Sequence, residues 1–256
     1  MAMAREWLWA TGVVLAILLV ARLAFSRLYR VYKWFFLYLC FQIARSLVLL
    51  PFPSNRGTYA LIFLITQPIT WLLYILVVLE LYALALRNHP GIASLSRWTL
   101  SAALVVAVGL SAITLKVDLS RPADRYRALV YYSVVERGLV FSLVLFLLLI
   151  TLFLLWYPVS IRRNVVLHAS VYSIYFLSIS AALFIRNIVG YQLTPAVNIV
   201  FVFLDCACLG MWISFLNRRG EERLLIVRRK WQAQDEERLA KQLDALNEVL
   251  LRHPRQ

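Results

Sequence analysis

Leu193 to Asn217 carries one charged residue, Asp205 at its centre, and ends on the basic pair Arg218–Arg219. A water-soluble helix of that length exposes a broad charged face, which this stretch lacks, so it is built for lipid. An ionised carboxylate at mid-depth in hydrocarbon is costly, so Asp205 needs a partner, a proton or water.

The same pattern recurs along the chain. Apolar runs cover Trp7–Phe25, Trp34–Leu50, Thr58–Leu86, Trp98–Leu115, Ala128–Tyr157, Val165–Ile185 and Leu193–Asn217. The apolar share of 62% exceeds the roughly one half of a soluble domain. The expected fold class is all-α, a polytopic integral membrane bundle of seven transmembrane helices over residues 1–217. Residues 218–256 form a basic amphipathic helical tail. Pro68 should kink the third span, because proline removes a backbone donor.

Charge sets the expected orientation. Fourteen Lys and Arg lie in the first, second and third inner loops and in Arg218–Lys230, against seven in the outer segments. That two-to-one bias predicts an outside N-terminus and a cytoplasmic C-terminus in a multi-pass cell-membrane protein, the inner membrane in a bacterium. The net charge of +14 does not imply nucleic acid, since the basic residues cluster at the ends of apolar runs. Arg228, Arg229 and Lys230 suit anionic lipids at the cytoplasmic face. Further on, Leu239, Leu243, Leu246 and Leu250 are spaced four, three, four, an a/d seam about two heptads long. That seam can pack on lipid, on a partner protein or on a second copy as a homodimer.

Polar residues within the runs fall into stripes. Asn198, Asp205 and Trp212 share a face of the seventh span, and Tyr38, Gln42 and Arg45 a face of the second. Gln67, Trp71 and Tyr74 line the third, with Thr66, Thr70 and Glu80 on another side. Glu136 and Arg137 lie on the fifth, and Tyr175, Ser178 and Arg186 on the sixth. The five striped helices should therefore surround a polar interior, with the first and fourth outside them. Gln42, Arg45, Glu80, Glu136, Arg137, Asn198 and Asp205 are the candidate ligand-binding residues, and Arg45 is expected to pair with Asp205 or Glu136. Interhelical packing alone would use the same residue types.

Absences narrow the chemistry. Lysine occurs only at positions 33, 116, 230 and 241, so no span offers an amine for a Schiff base. The histidines, His89, His168 and His253, do not pair across spans to clamp a haem. His168, near the cytoplasmic end of the sixth span, reads as a packed or interfacial histidine rather than a base. No metal-binding, phosphate-loop or serine-nucleophile motif is present, and neither a cofactor nor enzymatic activity is expected. Cys206 and Cys208 point to different sides of one helix and read as packing residues.

In topology the chain resembles the seven-helix sensor portions of bacterial signalling proteins, which precede a cytoplasmic helix. It also resembles small three-plus-one-plus-three sugar carriers, where spans three and seven are equivalent, here Thr66, Pro68, Glu80 and Thr194, Pro195, Asp205. The first resemblance implies a receptor-like or accessory protein that senses a small ligand and signals through its tail. The second implies a small-solute carrier with a midplane site. An intramembrane enzyme is the third reading.

Overall fold

The computed structural model describes residues 2–50, 56–86, 138–148, 160–189 and 194–226, and residues 105, 135, 136, 151, 241, 242, 245 and 248. Among them the protein is all-helical apart from one short ladder. Its helices are α1 (Ala2–Phe25), α2 (Lys33–Leu49), α3 (Arg56–Ala85), α4 (Gly138–Leu148), α5 (Arg163–Val189), α6 (Thr194–Phe215) and the single turn α7 (Arg219–Glu222). Strands β1 (Ser160–Arg162) and β2 (Leu224–Ile226) pair antiparallel, with Ser160 opposite Ile226.

Three helices are long and apolar enough to cross a membrane: Trp7–Phe25, Gly57–Ala85 and Arg163–Ala182. Gly138–Leu148 and Ile199–Phe215 are apolar but shorter. The 30 residues of α3 span about 45 Å, against about 30 Å of hydrocarbon, and the helix runs unbroken through Pro68. Val14, Leu18, Ile65, Leu72, Leu177 and Phe203 are exposed along these helices. In water such a surface would drive association.

The helices form a closed cycle of contacts. α1 touches α2, α2 touches α3, α3 touches α5, α5 touches α6, and α6 returns to α1. α4 lies against α3, where the Tyr82 and Phe146 rings are 5.5 Å apart. Leu19, Leu23, Phe35, Val77, Val78, Tyr172 and Phe176 fill the core.

This arrangement corrects the expectation that the first helix sits outside the others. α1 makes its most extensive contact with α6, and Leu19 and Leu23 are fully buried. Gly12 faces Cys206 and Asp205, Ala16 is buried as well, and the Cys206 Sγ donates to the Leu8 carbonyl at 3.4 Å. Small residues let two helices approach without any polar stripe, so striping alone underestimates burial.

The tail also departs from expectation at its start. α7 is one turn, Arg223 is extended, and the chain continues as β2 rather than as a helix. Pairing with β1 satisfies backbone groups that a continuing helix would have used internally, including Arg163 N–H to the Arg223 carbonyl at 3.0 Å. The seam Leu239, Leu243, Leu246 and Leu250 lies outside the described residues.

Candidate functional site

Arg45, on α2, reaches across to α3. Its guanidinium donates to Gln67 Oε1 at 2.9 Å and Thr70 Oγ1 at 3.1 Å, and its Cζ lies 4.9 Å from the centre of the Phe63 ring. Gln67 in turn donates from Nε2 to Glu136 Oε1 at 2.9 Å. Gln67 therefore relays between the guanidinium and the carboxylate, with the amide oriented by the charge on either side. Arg45 and Glu136 belong to one network, linked through a residue that the sequence placed on the same stripe as Trp71 and Tyr74.

Deeper in the ring stands a tyrosine group. Gln42 Nε2 donates to Tyr38 Oη at 3.1 Å, the Tyr38 and Tyr74 rings are 5.3 Å apart, and the Tyr74 and Tyr175 hydroxyls share a hydrogen bond of 3.1 Å. On α6, Asp205 stands beside α1, where a Cβ at Gly12 would lie 3.9 Å from its Oδ2. Asp205 is half-buried, and no described residue hydrogen-bonds it or pairs with it. Arg137 lies outside the described residues, and of Asn198 only the backbone is described.

Glu80 has a different task. Its carboxylate accepts the backbone N–H groups of Lys33 at 2.8 Å, Trp34 at 3.1 Å and Phe35 at 3.3 Å. These are the first-turn donors of α2, which no residue within that helix satisfies. A carboxylate there also complements the helix dipole. Glu80 is thus an N-terminal cap supplied by a neighbouring helix, and its oxygens are committed.

His168 lies at the centre of an aromatic box. Its ring is 4.5 Å from Tyr32, 4.6 Å from Phe35, 5.9 Å from Trp212 and 6.4 Å from Tyr172. The residue is fully buried, and among the described residues neither ring nitrogen has a hydrogen-bond partner; the Tyr172 hydroxyl and Trp212 Nε1 are in the same condition. The histidine is packed, one of the two roles, packed or interfacial, that its sequence position left open.

Beside this box the tail is fastened to the bundle through Glu221, a contact the sequence reading missed. Tyr32 donates its hydroxyl to Glu221 Oε1, Asn164 Nδ2 donates to the same oxygen at 2.9 Å, and Arg162 pairs with Oε2 at 2.9 Å. Asn164 also donates to the Asn217 carbonyl at 2.8 Å, and Asn217 Oδ1 accepts the Gly220 N–H at 2.7 Å. Burial first, and then the Glu221 carboxylate, push the Tyr32 hydroxyl far above its usual range, so it stays a donor. Gly220 is required: a Cβ there would stand 2.0 Å from Asn164 Oδ1. The one sequence signal was the Gly-Glu-Glu run set inside a basic stretch.

No protein-family description, curated protein or solved structure matches the chain. Among the described residues no group of three or more His, Cys, Asp or Glu side chains gathers to hold a metal ion. The class of protein rests on the fold: a helical protein with three helices able to cross a membrane.

Proposed function

We propose that this is a receptor-like or accessory multi-pass membrane protein of seven spans, with its N-terminus outside and its tail in the cytoplasm. A small ligand received in the ring of α1, α2, α3, α5 and α6 biases the tail, which then acts on a partner or a second copy.

The observation that carries the reading is the Glu221 clasp. It joins the first residues after α6 to Tyr32, just before α2, and to Arg162 and Asn164 at the start of α5. Three helices of the ring thus meet at one tail carboxylate. A shift of α5 or α2 relative to α6 changes the clasp geometry, so the tail reports the state of the ring. The carrier alternative equates α3 with α6. Their carboxylates differ in state, with Glu80 capping α2 and Asp205 without a described partner, and this asymmetry favours the receptor-like reading.

The test has two parts. A reporter active only in the cytoplasm, fused after Gln256, gives signal; signal from an outside-only reporter instead sinks the topology. Glu221→Gln in otherwise intact protein speeds tryptic cleavage beyond Arg223, and an unchanged rate sinks the coupling.

A further inference from the structure

His168 is a fully buried titratable side chain that neither the clasp nor the ring network uses. Four rings wall it in: Tyr32 at 4.5 Å, Phe35 at 4.6 Å, Trp212 at 5.9 Å and Tyr172 at 6.4 Å. Among the described residues neither imidazole nitrogen has a hydrogen-bond partner. A neutral ring tolerates that, but an imidazolium in the same place would lose its hydration and hold two charged N–H groups unpaired. The aromatic faces attract a cation, yet that gain is smaller than the hydration an ion gives up on full burial. The closed box therefore holds the neutral form.

Box and clasp share their parts. Tyr32 is a wall of the box and at the same time a donor to Glu221 Oε1. Asn164 donates to the same oxygen, and it stands four residues before His168, one turn away on the same face of α5. We propose that His168 is a proton-operated release for the tail: the imidazole takes a proton only when the box opens to water, and opening removes the Tyr32 donor from Glu221. The clasp is the one on which the receptor-like reading rests, and the imidazole sets when it lets go.

The sign follows from where the proton binds. An imidazole in water titrates at about 6.5, and the closed box takes no proton, so the clasp is at full strength above that value and weakens as pH falls through it. Between about pH 7.5 and about pH 5.5 the open population rises about 10-fold. Other titratable and charged groups surround the box. They are Tyr32 before α2, Tyr172 on α5, Cys208 one turn from Trp212 on α6, and Glu80 of α3, which accepts the Phe35 N–H. Glu221 of α7 and its partner Arg162 of β1 complete the set. All of them remain when only His168 is replaced, so a pH response that survives the replacement belongs to them. His89 and His253 lie outside the described residues and remain as well.

The experiment uses the full chain in phosphatidylcholine nanodiscs and reads tryptic cleavage beyond Arg223 at about pH 7.5 and about pH 5.5. Each rate is divided by that of an unstructured peptide of residues 219–232 at the same pH, which removes the protease's own pH dependence. Cleavage follows the open population while opening and closing are fast. The wild type gains about 10-fold at the lower pH, whereas His168→Phe and His168→Gln, which take no proton, change by less than about 2-fold. Should one of these variants fail to fold, the other carries the comparison. A wild-type rate that is slower than that of Glu221→Gln but indifferent to pH overturns the release and leaves the clasp standing. An equal rise in wild type and variant overturns it too. A wild type cleaved as fast as Glu221→Gln at the higher pH sinks the clasp itself, and the release with it.

Discussion

Glu80 on α3 and Asp205 on α6 are both carboxylates inside long apolar helices, and their surroundings could hardly differ more. Glu80 closes the open end of α2 with three hydrogen bonds. Asp205 stands beside Gly12 of α1, with no described donor bound to it. The contrast separates a carboxylate that builds the fold from one held in readiness. Stripping a buried charge of its partners is costly, so Glu80 is tied to the α2 terminus it caps, whereas Asp205 has no described partner to lose.

The variants that bear on this contrast fall in a natural order of effect. Arg45→Ala removes the cation that ties Gln67 and Thr70 of α3 to α2. It should lower stability by about 3 kcal/mol. A double-mutant cycle with Gln67→Ala sharpens this, because the two losses should fall short of additive; simple additivity in detergent unfolding would show that the relay contributes nothing.

Gly220→Ala comes next, at about 2 kcal/mol, since its Cβ meets Asn164 Oδ1 at 2.0 Å and the clasp must open. Its second signature is faster proteolysis beyond Arg223. A variant as stable and as protected as the wild type would mean that the tail does not dock in this way.

The smallest effect has the opposite sign. His168→Phe keeps the aromatic box and removes two buried nitrogens without partners. A gain of up to about 1 kcal/mol is expected from thermal unfolding. A clear loss would mean that the imidazole nitrogens are engaged in the working protein.

Helices α1, α2, α3, α5 and α6 were legible to within about five residues, because long apolar runs between basic flanks leave little choice of structure, whereas the ends expected for the fifth span lie outside the described residues. Asp205 stood out as a lone carboxylate among apolar neighbours, but of the two partners expected for Arg45 it is not one, since Arg45 bonds Gln67 and Thr70. The place of α1 was not, since Gly12, Ala16 and Leu19 bury a helix without a polar stripe. Glu80 was placed among the ligand-binding residues because its partners are backbone groups of another helix, which no side-chain pattern announces. The Glu221 clasp was hidden for a related reason, as Tyr32, Asn164 and Glu221 are far apart in sequence and each reads alone as an ordinary loop residue. Asn217 gave no clue, because its contribution is a turn geometry, and the Gly-Glu-Glu run at Gly220 was the only signal.

The most direct measurement compares two single substitutions in ligand-free protein, Glu80→Gln and Asp205→Asn, by thermal unfolding in the same detergent. Glu80→Gln weakens three charge-assisted bonds and should lower stability by about 2 kcal/mol. Asp205→Asn removes a half-buried charge with no described partner and should raise stability by about 1 kcal/mol. Shifts of opposite sign are the predicted result; a loss in Asp205→Asn as large as that in Glu80→Gln would contradict the account.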